Sequence, residues 1–539
     1  MAAAEQDVII LGAGPNGLAC GAYLVRAGAR VLILERNRET GGGLATEEHG
    51  GFRWNYHATY MMLAELMPPY WDLELETRGV RFVRPEAQVA FLFQGGKSFT
   101  LYTDVEKSKT SIARLSEKDA DTFGRMYGEF KEMSDQFIIP ATYAPPVPPI
   151  DQIELLQKDA LGKRIVEVSE MTPREVIEGY KFQDPRVAAA MLYLGIMWGI
   201  DPEERGLGFM VPLYVYRMCN AALVKGGSHT LSSGIQRGFI RDGGEIEESA
   251  QVQEIILENG QAKGVRLADG REFRASAVVS SLNPEQTFLQ LCDPKKIPAD
   301  LADAARNWEW EGWSYFTSHI ALKGEPPRYE GYDPEVNSAL SVVIGYESPE
   351  DVLHHVEAAK GGRLPGRVAF HACCATLFDR LQAPTGPFGP YHTLRLETWA
   401  PYQVQGKDWD EMKADEGKKF FETWRRYAPN LSEDRIIERV NWSPKDVERR
   451  LADMKRGSIK QGAYTQLQMG HLRPNTQCSN YETPVKGLFV CGSSVHPGGM
   501  VILGPGYNAA RAVATSLGKK VWWDVPDSVR KARERGYLP

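Results

Sequence analysis

The sequence has little cysteine and no pattern that would use it. Seven cysteines occur in 539 residues, and no two stand in a CxxC spacing. That argues against a disulfide framework and against a zinc cluster, and makes a reducing compartment the default. No apolar run approaches the ~18–20 residues of a membrane span. The opening MAAAEQ lacks the basic stretch of a secretory signal, so a cytoplasmic location is expected, with room for peripheral membrane contact. Neither sign of charge dominates: 63 Lys+Arg face 70 Asp+Glu, a net charge of −7. That balance supplies no electrostatic footprint for nucleic acid. HExxH and GxSxG are absent, which leaves metal and serine-hydrolase chemistry without support.

What is present is a chain too long for one simple core, since cores stop growing near ~250–300 residues. Its first 50 residues carry the clearest signal. Val8–Leu11 is a continuous apolar run of the buried parallel-strand kind, followed by Gly12-Ala13-Gly14-Pro15-Asn16-Gly17. A small-residue helix over 18–27 and a second apolar strand, Val31–Leu34, complete a β-α-β unit closed by Glu35. Gly12 permits the tight turn, Gly14 admits a pyrophosphate, and Gly17 lets helix and strand pack closely. The helix N-terminus offers free N–H groups to phosphate. Glu35 is placed for ribose hydroxyls. Gly41-Gly42-Gly43 follows, a triplet that suits FAD, whose domain brings backbone there against the cofactor.

Further along, residues 80–103 read as a β-hairpin and 104–137 as helix, broken at 115–119. The prolines between Ile138 and Ile150 predict an exposed loop, a lid or a linker. Three short strands over 252–273, jointed at Asn259-Gly260 and Asp269-Gly270, form a meander, and Ala277–Ser280 returns as a separate buried strand. Residues 296–455 are rich in Trp, Tyr and Pro and read as an antiparallel sheet with covering helices. His354-His355 falls in a polar helical stretch and reads as a solvated face. At the C-terminal end come a strand, Gly487–Gly492, then His496-Pro497-Gly498-Gly499-Met500, then Gly504-Pro505-Gly506-Tyr507-Asn508 opening a helix whose N-terminus would favour negative charge on a reduced flavin.

The order of these motifs resembles the phytoene desaturase-like FAD-dependent oxidoreductases. It is most similar to the branch of desaturase-type carotenoid ketolases and pyridine nucleotide-disulphide oxidoreductase-domain-2 proteins. The resemblance implies an α/β fold: a discontinuous Rossmann-type FAD-binding domain (1–80, 225–295 and 456–539) with an inserted α+β substrate domain (81–224 and 296–455). It implies FAD held by Gly12, Gly14, Gly17, Glu35 and the Gly41-Gly42-Gly43 triplet. Backbone of Val252 would lie at the adenine side, and Gly492, Gly498, Gly499 and Met500 along the ribityl chain and ring. The chain departs from the family at Leu503, where a glycine is frequent, and at Tyr507, where an arginine is.

His57 would approach the flavin as a proton carrier, a substrate contact, an attachment point or a structural histidine. Tyr507 is read as a proton donor near the flavin or as a space-filler, and His496 as a turn stabiliser. The expected reaction is dehydrogenation of an apolar or cyclic compound to a C=C bond, with electrons passing to oxygen or a quinone. A carotenoid ketolase and an amine-oxidase-like enzyme are alternatives on the same scaffold. A prenyl-binding chaperone is a third, and the intact glycine–Glu35 set argues against it. The tail, Lys519 to Arg535, mixes basic and aromatic residues in a way that suits a membrane surface, the second copy in a homodimer, or a helix end.

Overall fold

The computed structural model describes residues 6–386 and 389–539. Residues 1–5, the opening of the stretch read above for targeting, lie outside that range. The first strand, Gln6–Leu11, sits centrally in a parallel sheet, between Val31–Leu34 on one side and Glu272–Ser280 on the other. Glu245–Glu247 and Leu488–Val490 extend the parallel sheet at its two ends. Val8, Ile9 and Ile10 are fully buried, as strands covered on both faces require.

The meander and the return strand are not separate. Glu272–Ser280 is one strand. It begins antiparallel to Gln261–Leu267 (Gly264 opposite Arg274) and ends parallel to the first strand (Gln6 opposite Ala275). The polar residues at its start hide this continuity, because the strand is exposed where it leaves the sheet and buried where it enters.

A second sheet, of mixed direction, carries the aromatic-rich segments. Its order is Ile436–Trp442, Ser314–Lys323, Tyr391–Ala400, Phe370–Cys374, Ser341–Ile344, Ala87–Leu92, Ser98–Tyr102. All its pairs are antiparallel except Ser341–Ile344 with Ala87–Leu92, so the expected purely antiparallel sheet is corrected there. Helix Trp409–Tyr427 packs over it through Phe420, Phe421 and Trp424.

The proline-rich stretch is helical in part. Pro140 lies in the first turn of Ile139–Thr142 and Pro149 at the start of Pro149–Leu156. Pro149 sits in a first turn, where proline forfeits no helical bond and supplies a pre-set φ, whereas Pro140 follows a π-helical turn, Ser134–Ile138, that continues helix Glu117–Met133, and Pro145, Pro146 and Pro148 lie outside helices. In the tail, Lys531 and Arg533 stand in the last turn of helix Asp527–Glu534, as the helix-end reading has it. Trp523 is buried, and Trp522 stacks on Tyr23 at 5.5 Å and donates to its carbonyl at 3.0 Å. Both tryptophans cover the first helix of their own chain. Among the described residues no helix is long and apolar enough to cross a membrane.

His355 is not solvated. It lies inside helix Pro349–Lys360, with Nδ1 paired to the Tyr346 hydroxyl at 2.7 Å and Nε2 to the Trp399 carbonyl at 3.1 Å, while His354 is exposed. Burial lowers the His355 pKa from 6.5 to about 4. An unfolded chain therefore takes up a proton, below about 6.5, that the folded chain refuses until about 4. Stability present above pH 6.5 should be lost as pH falls through this window, by an upper bound of ~3 kcal/mol from this ring. Melting temperatures followed through that pH window check this: His355→Phe should flatten the acid limb, and an unchanged limb would refute the assignment.

Candidate active site

The turn after the first strand is shaped by contacts that exclude side chains. A Cβ on Gly17 would lie 2.1 Å from the Gly12 carbonyl oxygen, and one on Gly12, at φ 92°, would lie 2.6 Å from Ser281 Oγ. A Cβ on Gly14 would meet no protein atom within 4 Å; it would project into open space. Helix Pro15–Arg26 starts here with no side-chain cap and no acidic residue in its first turn. Its first N–H groups are thus left for a ligand.

Glu35 ties this turn to the end of the second strand. Its carboxylate accepts from the Ala13 N–H at 2.9 Å, the Asn37 N–H at 2.8 Å and Asn37 Nδ2 at 2.9 Å. The triplet folds onto the same turn: the Gly41 N–H donates to the Ala13 carbonyl at 2.8 Å, and a Cβ on Gly42 would come within 3.1 Å of Gly14 Cα. Together these residues wall a cavity of about 450 Å³. Gly12, Gly14, Gly17, Glu35, Gly42, Gly43, Val252, His57 and Met500 all line it. Its volume lies in the range of cofactor sites. The bare helix start and the space a Gly14 Cβ would fill fit a pyrophosphate, so the residues present fit a flavin dinucleotide.

A second cavity, of about 70 Å³, adjoins the first and shares His57, Ile459, Met500 and Val501 with it. Tyr56, Tyr60, Trp198 and Tyr315 give it aromatic walls, and Arg395 and Glu397 give it charge. Both charged residues stand on strand Tyr391–Ala400, two apart and so on one face. Arg395 donates to the carbonyls of Asn55 at 2.9 Å and His57 at 2.8 Å, to the Thr59 hydroxyl, and to Glu397. The other Glu397 oxygen faces His371 Nε2 at 3.4 Å, whose Nδ1 pairs with the Tyr193 hydroxyl at 2.8 Å. Burial, aided by the Arg395 charge and opposed by Glu397, lowers the His57 pKa to about 4. Burial also lowers that of His371. Both rings are neutral near pH 7, so His57 is poorly matched to carrying protons there.

Met500 and Val501 border both cavities with φ of 78° and 54°, and Leu503 follows at 58°. A β-branched residue rarely adopts this conformation, so the junction between the cavities is a strained segment held by its surroundings. Leu503 thus takes the left-handed conformation that a glycine adopts without strain.

Other residues singled out in the sequence stand elsewhere. Gly41 holds the Ala13 carbonyl but does not face the cavity. Gly492, Gly498 and Gly499 lie behind its wall: Cβ atoms on the first two would meet the Ser281 carbonyl oxygen and the Tyr464 hydroxyl, each at 2.3 Å, and the Gly499 N–H donates to Tyr464 at 2.9 Å. Their smallness serves chain-to-chain packing. Tyr507 belongs to neither cavity. It sits in helix Gly504–Ser516, its ring 5.3 Å from Tyr23 and its hydroxyl donating to the Asp524 carbonyl at 3.3 Å. The role of flavin-side proton donor does not suit that position. His496 Nε2 donates to the Ala141 carbonyl at 2.9 Å, a turn-holding contact.

Sequence reasoning missed Arg395, Glu397, His371 and Trp198. A signal existed for the first two: Arg395-Leu396-Glu397 interrupts an apolar strand with two charges on one face. Among the described residues no group of His, Cys, Asp and Glu is arranged to hold a metal. The Gly17 contact yields a direct test. Gly17→Ala must push the helix off the turn, and nucleotide released on denaturation should fall to a small fraction of the wild-type amount; full retention would remove this turn from the site.

The flavin containing amine oxidoreductase family matches residues 16–340. The chain is 44% identical over 544 residues to one of the subunits of limonene dehydrogenase from Castellaniella defragrans, covering 99% of each. It is 29% identical to the pyridine nucleotide-disulfide oxidoreductase domain-containing protein 2 of Rattus norvegicus, over 95% of this chain and 94% of that one. A triple mutant of putrescine oxidase shares the fold, with a TM-score of 0.60 at 15% identity over 96% of this chain and 99% of that one. The chain belongs to the flavin containing amine oxidoreductase family and is a phytoene desaturase-like, FAD-dependent oxidoreductase.

Proposed function

We propose that this protein dehydrogenates an apolar, cyclic compound, introducing a C=C bond, with FAD in the larger cavity and substrate in the smaller. The observation that carries this reading is the junction: His57, Ile459, Met500 and Val501 border both spaces, so a pocket walled by Tyr56, Tyr60, Trp198 and Tyr315 opens onto the cofactor cavity. The relative's name, limonene dehydrogenase, favours a cyclic hydrocarbon. FAD, when bound, accepts the hydride.

The chain's own residues do the rest. Gly14 and the start of helix Pro15–Arg26 bind the pyrophosphate, and Glu35 accepts from ribose hydroxyls. Backbone at Val252 meets the adenine side, and Gly42 and Gly43 keep the floor low. Met500 and Val501 form the partition against which substrate and ring are set. The aromatic walls exclude water from the pocket. Oxygen or a quinone takes the electrons onward.

Two outcomes are expected. Glu35→Ala removes hydrogen bonds from a charged acceptor, each worth about 1.5–3 kcal/mol, so FAD affinity should fall roughly 10- to 150-fold. Titration of the apo-variant with FAD measures this, and unchanged affinity would exclude the ribose role. Under anaerobic stopped flow, an apolar cyclic alkene should bleach the flavin while NADPH does not. The sequence has one complete strand–GxGxxG–helix–acid unit, which FAD would occupy. Bleaching by NADPH at a rate matching turnover would instead indicate a reductive or monooxygenase reaction.

A further inference from the structure

We infer that Glu397 is the catalytic base of the reaction, taking the proton from the substrate carbon next to the one that loses hydride. This rests on the dehydrogenase reading above and deepens it. Of the residues lining the small cavity, Glu397 is the one carboxylate. It is 4% exposed and lines the same cavity as the partition residues Met500 and Val501. The remaining ionisable groups around it are Arg395, His371, His57, Tyr60, Tyr193 and Tyr315, and burial holds the Tyr193 phenol well above its usual pKa.

None of these is a better proton acceptor. Arg395 is a cation. The phenols of Tyr60 and Tyr315 are buried, which raises their pKa well above the usual value and keeps them protonated. Protonating His57 would set a second cation beside Arg395. Glu397 is the one anion among them, so a proton delivered there creates no second cation.

The reaction balances through this group. One C–H bond breaks and its electron pair leaves with hydrogen as hydride to the flavin, which is the oxidant. The neighbouring C–H bond breaks, its electron pair becomes the second bond of C=C, and its proton ends on a Glu397 oxygen. A carbon beside a cationic centre is so acidic that a carboxylate paired with an arginine is base enough.

The surroundings hold the carboxylate rather than consume it. Arg395 engages one oxygen and is anchored to the Asn55 and His57 carbonyls, while His371 Nε2 stands 3.4 Å from the other, beyond an ordinary hydrogen bond. Lone pairs on both oxygens remain free. Three further polar atoms on the wall have no partner: Tyr60 hydroxyl, Trp198 Nε1 and Arg395 Nε. Buried polar groups without partners mark a place where a ligand or water completes the structure. Arg395 is the positioning residue for Glu397.

Glu397→Gln keeps shape and removes the charge; Glu397→Asp keeps the charge and withdraws it by one methylene. With FAD-loaded enzyme and limonene as probe, anaerobic flavin reduction should slow about 10²–10⁴-fold in the glutamine variant and less in the aspartate variant. FAD affinity should be unchanged in both. A second readout needs no turnover. Calorimetry with N-isopropylpiperidine in its ammonium form, a mimic of the cationic ring, should show binding weakened at least about tenfold by Glu397→Gln and kept by Glu397→Asp. The neutral isostere isopropylcyclohexane should compete equally in all three proteins.

Wild-type reduction rates in Glu397→Gln, or equal ammonium binding by the wild type and that variant, would overturn the assignment. So would an aspartate variant as impaired as the glutamine variant in both readouts. If no apolar alkene bleaches the wild-type flavin, the dehydrogenase reading falls and with it the base; the ammonium comparison then separately supports or overturns Glu397 as the anion available to a ligand.

Discussion

The first turn of helix Pro15–Arg26 is gripped from two sides by glycines, and the cofactor cavity depends on that grip. On one side Gly17 touches the turn of Gly12, where a Cβ would sit 2.1 Å from the carbonyl oxygen. On the other, Gly506 of helix Gly504–Ser516 approaches Asn16, where a Cβ would sit 2.2 Å from the Asn16 carbonyl oxygen. The N-terminus of the chain and its last large helix therefore close on one helical turn. Any side chain at either contact would tilt that turn and misdirect its free N–H groups. The Glu35 carboxylate adds the third restraint through Ala13.

The neighbouring cavity solves a different problem. It must accept an apolar molecule and still contain chemistry, so its charges come as a pair whose members neutralise each other. A lone buried carboxylate would be costly or would protonate. Arg395 balances the Glu397 charge and is itself held by carbonyls of the segment carrying His57. Arg473 plays a comparable part behind the cofactor wall. Fully buried between the rings of Trp308 and Tyr464, it donates to the carbonyls of Lys460, Ala463, Gln468 and Ser493. It fastens the loops that lead into the Met500 partition.

Glycine was the most informative residue type in the sequence, and also the one that misled. At Gly17 the need for smallness is local, since the interfering atom is the Gly12 carbonyl oxygen five residues earlier, so spacing alone reveals it; at Gly12 the interfering atom is the distant Ser281 Oγ, and a Cβ on Gly14 would meet open space. At Gly492 and Gly498 smallness again signals close approach, and the approaching protein groups are the distant Ser281 and Tyr464. Sequence shows that something comes near a glycine without showing what. Tyr507 illustrates the same gap for helices. Its position next to the glycines suggested the flavin, whereas the helix rotation set by Gly506 against Asn16 turns its ring toward Tyr23 and Tyr143.

By itself, the sequence determined the β-α-β unit, its acid and the cofactor class. These follow from short-range rules: apolar runs, turn dipeptides and the spacing from Gly12 to Glu35. Only the tertiary structure decided that Arg395 reaches the carbonyl of His57 across 338 residues, and that His371 and Trp198 join the same space. It also decided that Pro149 starts a helix and that the tail tryptophans cover their own first helix. The physical reason is common to all of them. Burial and pairing depend on which distant surface arrives opposite a side chain, and no periodicity along the chain encodes that arrival.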